Sequence, residues 1–271
     1  MTIDWKKYID HIYCIHYVPY SDRRERLEKE LKRVGILDSG IFSWQLSYDI
    51  PKFTKNPLED NTYNHLQCYC NAKYMGYKKV MILEDDIVFL KDINMIQTLL
   101  DNLPNEYDIC LFDHIFFKND FYINDTHIDI FKYGEINKYY RYFYHVYLSS
   151  NYIICSTLYD TIINRILKDI IINEHLNPED FYLSNFIKDN VKEDNYYNNE
   201  HTFIVNLFKY KSIISNKRMS IQHQYDNAPN LKHKFGKKLY INNTNEPIDI
   251  ANKNILELPL NLEDYNTYEK E

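Results

Sequence analysis

The sequence predicts an α/β fold, a central mostly parallel sheet flanked by helices. Three observations lead there. From residue 9 to residue 83, short apolar runs alternate with amphipathic stretches in the order strand, helix, strand, helix, strand. That order is typical of a sheet built with right-handed crossovers. Each of the two helical stretches stops at a glycine, Gly35 and Gly76, the residue that most readily ends a helix. The last apolar run lies in KKVMILEDDIVFL (78–90). It closes on three consecutive carboxylates, Glu84, Asp85 and Asp86, before the chain turns apolar again.

The elements follow in order. Residues 9–18, IDHIYCIHYV, are apolar and β-branched and predict the first strand. Pro19 breaks it. Ser21 stands where it would cap a helix over DRRERLEKELKRVGI, in which Leu27, Leu31 and Val34 recur at helical spacing. Residues 41–48 predict the second strand, 51–62 with Pro51 and Pro57 a loop, 63–76 the second helix and 78–83 the third strand. INMIQTLLDNL (93–103) predicts a helix closed before Pro104, and 108–112 a short buried strand. Residues 116–141 are polar and predict an irregular region, and 142–155 a hairpin or two short strands. A helix opening at Ser156 is expected over 156–171. Another begins within 177–190, with acids in its first turn where the helix dipole favours them. Residues 203–215 read as strand-like, and no internal repeat is visible.

Bulk composition narrows the function. The 271 residues suffice for one large α/β domain with a real core. Hydrophobic residues at 45% and charged residues at 26% are an ordinary globular balance. A net charge of −7 argues against a nucleic-acid partner, which calls for a basic stripe. No run of about 18 apolar residues predicts a membrane span. Asp4, Asp10 and His11 interrupt what would have to be an apolar leader. Five cysteines, an odd number, fit reduced thiols, so the cytoplasm of a cell or of an infected host is expected. Cys68 and Cys70 stand near His65, but residues two apart on a helix face different ways, and buried thiols are expected rather than zinc. The 27 Tyr and 14 Phe have two readings, coding bias or a stacking surface for sugars or bases. Neither a phosphate loop, nor a dinucleotide fingerprint, nor a serine-hydrolase elbow occurs in the chain.

The acidic strand end carries the chemistry. Two unit charges about 4 Å apart repel by about 4 kcal/mol at an effective dielectric of 20. A divalent cation removes that cost, and hard oxygen ligands together with substrate phosphates suit Mn2+ or Mg2+. Ligands of open α/β sheets bind beyond the carboxyl ends of the strands. Glu84, Asp85 and Asp86 therefore read as a metal and phosphate site. The plain alternatives are a solvated turn between two strands or an acidic helix start. Phosphoryl-receiver and phosphatase folds also use acidic strand ends.

HIYCIHYVPYSDRRERLEKELKRVGI (11–36) followed by NHLQCYCNAKYMGYKKVMILEDDIVF (64–89) resembles glycosyltransferase family 25, which includes lipooligosaccharide galactosyltransferases and collagen galactosyltransferase domains. Asp22, Arg23, Arg24, Arg26 and Leu27 match its D-R-R-x-R-L helix, and Leu83, Glu84, Asp85 and Asp86 its acidic strand end. Asn64-His65 stands where the family has Ser-His. NYIICSTLYDTII (151–163) looks like its later strand and helix, and NPEDFYLSNFI (177–187) like its Pro-x-Asp segment. The resemblance spans about 9–215, and 116–141 has no counterpart.

The resemblance implies a GT-A type nucleotide-sugar-binding fold in a single domain over 1–236. Its donor half would cover about 1–115 and its acceptor half about 116–236, with a polar C-terminal extension over 237–271. It implies a metal-dependent inverting hexosyltransferase. Galactose or glucose would move from a UDP-sugar donor to a hydroxyl of a glycan, glycolipid or protein acceptor. Asp86 would ligate Mn2+ (or Mg2+), with Glu84 as a further ligand, and Glu84 or Asp85 would reach the ribose or a metal-bound water. His223, in SIQHQYD, would complete the metal site, a surface histidine being the plain reading. Asp180, with Glu179 beside it, would be the general base, or else an ordinary helix-start acid. Arg23 and Arg24 would contact phosphate or base, one of the two lying on a solvated helix face. Asp49 would stand near the nucleoside. Asn64 and His65 would line the same pocket, with helix capping an equal alternative for Asn64. His145 and Tyr147 would face the acceptor. Two rivals remain: a binding-only, catalytically inactive relative, and a phosphoryl-transfer or receiver protein.

Overall fold

Strand β1 (His11–Tyr17) is buried through its whole middle, as a strand covered on both faces should be. In this computed structural model, residues 2–48, 57–113, 115–116, 121–123, 126–128, 134–142, 146–147, 150–173, 211–217 and 219–222 are described. Helix α1 (Ser21–Arg33) follows, but its cap is Tyr20 and not Ser21. The reason is the turn leaving β1. Tyr20 N donates to Tyr17 O (2.9 Å), and the Tyr20 carbonyl already accepts from Arg23 N (3.1 Å). The first helical bond is thus made one residue before the serine.

Gly35 ends α1 as expected. Gly35 N donates to Lys32 O (3.1 Å) and Ile36 N to Leu31 O (2.8 Å), a closing pair that needs a left-handed residue, and Gly35 has φ +78°. Gly76 closes the second helix with the same two bonds, from Gly76 N to Lys73 O and Tyr77 N to Ala72 O. The two sites differ in space. A Cβ on Gly35 would meet Thr2 Cγ2 at 2.7 Å, and one on Gly76 would meet nothing within 4 Å. Both alanine variants are expected to lose about 1–2 kcal/mol from the left-handed backbone, with Gly35→Ala the lower of the two in thermal midpoint. Equal midpoints would show that the Thr2 contact relaxes freely.

Strand β2 (Phe42–Ser47) pairs parallel with β1. Helix α2 (Pro57–Tyr74) begins at 57 rather than 63. Proline suits a first helical position because its missing N–H would have no partner there, and Glu59 and Asp60 follow in the same turn. Strand β3 (Lys79–Glu84) pairs parallel with β1 on its other side, with Ile15 opposite Glu84. After Asp85 and Asp86 comes strand β4 (Ile87–Phe89), which does not continue β3. Asp92 caps α3 (Ile93–Asp101) by accepting from Asn94 N at 2.9 Å. Strand β5 (Ile109–Leu111) is fully buried.

Where an irregular region is expected, short strands occur: β6 (Ile115–Phe116), β7 (Phe121–Ile123), β8 (Thr126–Ile128), β9 (Glu135–Asn137) and β10 (Tyr140–Tyr142). Two or three residues are too few to show a period. Strands β11 (Val146–Tyr147) and β12 (Asn151–Cys155) do not pair with each other. β11 pairs with β6, and β12 lies antiparallel between β3 and β5. Helix α4 (Ser156–Asn173) opens at Ser156. Strands β13 (Ser212–Ser215) and β14 (Ser220–Gln222) complete the described chain. The expected helix in 177–190, residues 203–210 and the extension 237–271 lie outside the described residues.

The main sheet runs β2-β1-β3-β12-β5-β13-β10-β9. β12 and β10 oppose the other strands, so most of the sheet points one way, an α/β sheet of the expected class. β1 leads outward to β2, and the chain then crosses back to β3. Right-handed crossovers put α1 and α2 on opposite faces and open a crevice beyond the carboxyl ends of β1 and β3. α2 packs on α4 as well as on the strands below it. Among the described residues no helix is long and apolar enough to cross a membrane.

Candidate active site

That crevice holds the acidic turn, and its three carboxylates have three different environments. Asp85 is buried and fully engaged. Its Oδ2 accepts from Tyr17 N (3.0 Å) and pairs with His16 Nδ1 (2.8 Å), and its Oδ1 accepts from Arg23 Nη1 (2.9 Å). The β1–β3 register sets this up, since Ile15 opposite Glu84 brings His16 and Tyr17 to the level of Asp85. Arg23 arrives from the first turn of α1, with its guanidinium 4.5 Å from the Tyr20 ring centre. Asp85 thus ties the end of β1 and the start of α1 to the turn after β3.

Glu84 is half-buried and held from behind by α2. Asn61 Nδ2 donates to its Oε1 (2.8 Å), and His65 Nε2 stands 3.2 Å from the same oxygen. Asn61 and His65 are four residues apart and so share one helix face. His65 Nδ1 meets the Tyr152 hydroxyl at 2.7 Å, and that hydroxyl meets Tyr69's.

Asp86 lacks such support. It is half-buried, but its Oδ1 is sealed from solvent and no donor reaches it among the described residues. Burial pushes its carboxyl well above the usual carboxylate range. Glu84 adds most to that, Asp85 and Asp113 add further, and Arg23 opposes them. Asp113, just past β5, is buried and accepts from Ser150 Oγ at 2.6 Å. β14 runs antiparallel to β4 with Gln222 opposite Ile87. Among the described residues the ladder reaches to one residue after Asp86 on one strand and one residue before His223 on the other.

The structure therefore gathers Glu84, Asp85, Asp86, Arg23 and His65, which the sequence singled out. Arg24 stands apart: it pairs with Glu28 (2.9 Å) along α1 and lies 4.8 Å from the Trp44 ring centre. Asn64 is no helix cap. Because α2 begins at Pro57, Asn64 sits inside the helix and donates to Ser47 Oγ (2.8 Å) and Asp60 O (2.6 Å). His65 is buried behind Glu84. Asp49, His145, Glu179, Asp180 and His223 lie outside the described residues, as does the Tyr147 side chain. Among the described residues no three His, Cys, Asp or Glu side chains form a group able to hold a metal ion. Sequence reasoning missed His16, Tyr152, Tyr69 and Asp113. Of these Asp113 left a signal, since DICLFD ends an apolar strand in an acid as VMILEDD does, and Tyr69 left one in its four-residue spacing from His65.

No family model and no curated protein matches the chain. Among solved structures, it is similar to a glycosyltransferase involved in the glycosylation of the major capsid of PBCV-1, with 8% identity, 76% of this chain and 91% of that one covered, and a TM-score of 0.43. It is also similar to the glycosyltransferase GlyE in Streptococcus pneumoniae TIGR4, with 13% identity, 66% of this chain and 43% of that one covered, and a TM-score of 0.35. Likenesses of this size leave the activity to be read from the pocket's own chemistry.

Proposed function

We propose that this chain is a metal-dependent inverting glycosyltransferase that moves a hexose, galactose or glucose, from a UDP-sugar to an acceptor hydroxyl. The observation that carries this reading is Asp86. An acid with a sealed oxygen that no donor reaches among the described residues, set among further carboxylates at the reversal point of strand order, fits a cation site. Asp86 and Glu84 would hold Mn2+ or Mg2+. His223 is the proposed third ligand, supported by the β4–β14 ladder, which among the described residues reaches to one residue short of both Asp86 and His223. When bound, the ion supplies Lewis-acid stabilisation of charge on the leaving nucleoside diphosphate. Asp85 takes no part as a ligand; it keeps the turn in place.

In the transfer, a bond forms between the acceptor oxygen and the sugar's anomeric carbon as the bond to the diphosphate breaks on the opposite side. The acceptor proton passes to a carboxylate. Asp180, with Glu179 beside it, is proposed for that role on the Pro-x-Asp resemblance. Arg24, whose guanidinium lies over the Trp44 ring in the middle of β2, is proposed to contact the phosphate or base of the nucleotide.

Thermal unfolding with UDP, in Mn2+, Mg2+ or EDTA, tests the reading. A ligand at 100 times its Kd adds about 2.7 kcal/mol. A rise with UDP and Mn2+ that EDTA removes is the expected result. No rise in any combination would overturn the metal and nucleotide assignment. Sugar release from UDP-galactose or UDP-glucose then separates an active transferase from a binding-only relative.

A further inference from the structure

We propose that His65 is a positioning residue, fixing the orientation of Glu84 through a one-directional chain of hydrogen bonds that starts at Tyr69. The inference rests on Glu84 belonging to the acidic site proposed above. The chain runs Tyr69 hydroxyl, Tyr152 hydroxyl, His65 Nδ1, His65 Nε2, Glu84 Oε1, with 2.7 Å between Tyr152 Oη and Nδ1 and 3.2 Å between Nε2 and Oε1. His65, Tyr69 and Tyr152 are each 0% exposed, so water does not stand in for any member. A carboxylate only accepts, so Nε2 must carry the proton and donate to Glu84. Nδ1 is then bare and must accept the Tyr152 O–H. The Tyr152 oxygen in turn accepts from Tyr69. With Glu84 ionised, no other assignment of protons leaves every buried member paired with the imidazole neutral.

The three donors come from two parts of the fold. His65 and Tyr69 lie four residues apart on one face of α2, and Tyr152 lies on β12, opposite Ile82 of β3. His65 is further fixed by the Tyr152 ring, whose centre lies 5.8 Å from its own at an interplanar angle of 15°. Asn61 adds a second donor to the same Glu84 oxygen. Glu84 is therefore a strand-end carboxylate whose side chain has one oxygen pinned by two donors from α2. This is the arrangement by which outer partners orient a ligand ahead of binding.

The test uses two replacements of different reach in the full chain. A glutamine amide extends to the position of Nε2, and an asparagine amide only to that of Nδ1. Mn2+ binding is read from the free-ion paramagnetic resonance signal for the wild type, His65→Gln and His65→Asn. The expected result is near-wild-type affinity for the glutamine variant and a loss of about 10- to 100-fold for the asparagine variant. Equal affinity in all three proteins, or an equal loss in both variants, overturns the proposal. Failure of the wild type to bind Mn2+ would sink the metal reading on its own. The positioning role is then decided by the imidazole nitrogen NMR signals of His65 in the wild type, identified by their loss in His65→Gln. A proton on Nε2 alone upholds it, and a proton on Nδ1, or on both nitrogens, overturns it.

Discussion

Asp86→Ala is expected to abolish Mn2+-dependent UDP binding and to leave the protein no less stable. The side chain gives the fold little. Among the described residues no donor reaches its sealed Oδ1, and burial and three other carboxylates oppose its charge. Removing it relieves repulsion rather than breaking a bond, so the thermal midpoint of the metal-free variant should equal or exceed that of the wild type. The midpoint rise with UDP and Mn2+, about 2.7 kcal/mol at 100 times the Kd, should vanish. A rise that persists in the variant would move the metal away from Asp86. An early-melting variant would show that Asp86 has a structural partner.

Asp85→Ala, one residue away, is expected to do the opposite. Three donors converge on Asp85, and the two charged or chargeable ones, Arg23 and His16, are buried with it. Without the carboxylate, Arg23 stays buried but loses its ion pair with the turn, and His16 and Tyr17 N lose the acceptor they share. Breaking a buried pair by removing one partner costs about 3–5 kcal/mol. That is a large share of the roughly 5–15 kcal/mol that holds a domain folded. Urea unfolding should show the loss as a lower midpoint at unchanged slope. A loss below about 1 kcal/mol, the scale of an exposed ion pair, would mean that the β1 and α1 contacts do not depend on Asp85.

This contrast marks what the sequence could and could not reveal. Three carboxylates inside an apolar run are costly, so the sequence pointed to a cation site there, with a solvated turn or an acidic helix start as the plain alternatives. Their division of labour was hidden. It depends on His16 and Tyr17 lying level with Asp85, which follows from the β1–β3 register. The Asn61, His65 and Tyr69 stripe was readable in principle from its four-residue spacing. What it points at was not, because Tyr152 and Glu84 reach it from different strands. The first three strands and their crossovers followed from periodicity and from glycine stops. In the second half the helix opening at Ser156 followed as well, but the strands did not, because two- and three-residue strands carry no period and β12 enters the sheet where no local pattern requires it. The start of α2 was misjudged because Pro57 was read as a breaker, whereas at a first helical position proline is favourable.

The insertion of β12 also sets a timetable. β5 finds neither of its neighbours within the first half of the chain, because β12 and β13 flank it. The flank of β3 that β12 covers stays open from Glu84 until Cys155 has been made. At the ribosome's pace of about 5–20 residues per second, a stretch of roughly 70 residues takes about 4–14 s. Throughout that interval Glu84 lacks the tyrosine that anchors His65 behind it. The carboxylate that α2 holds from behind thus gains its full support only after more than half of the chain has been synthesised.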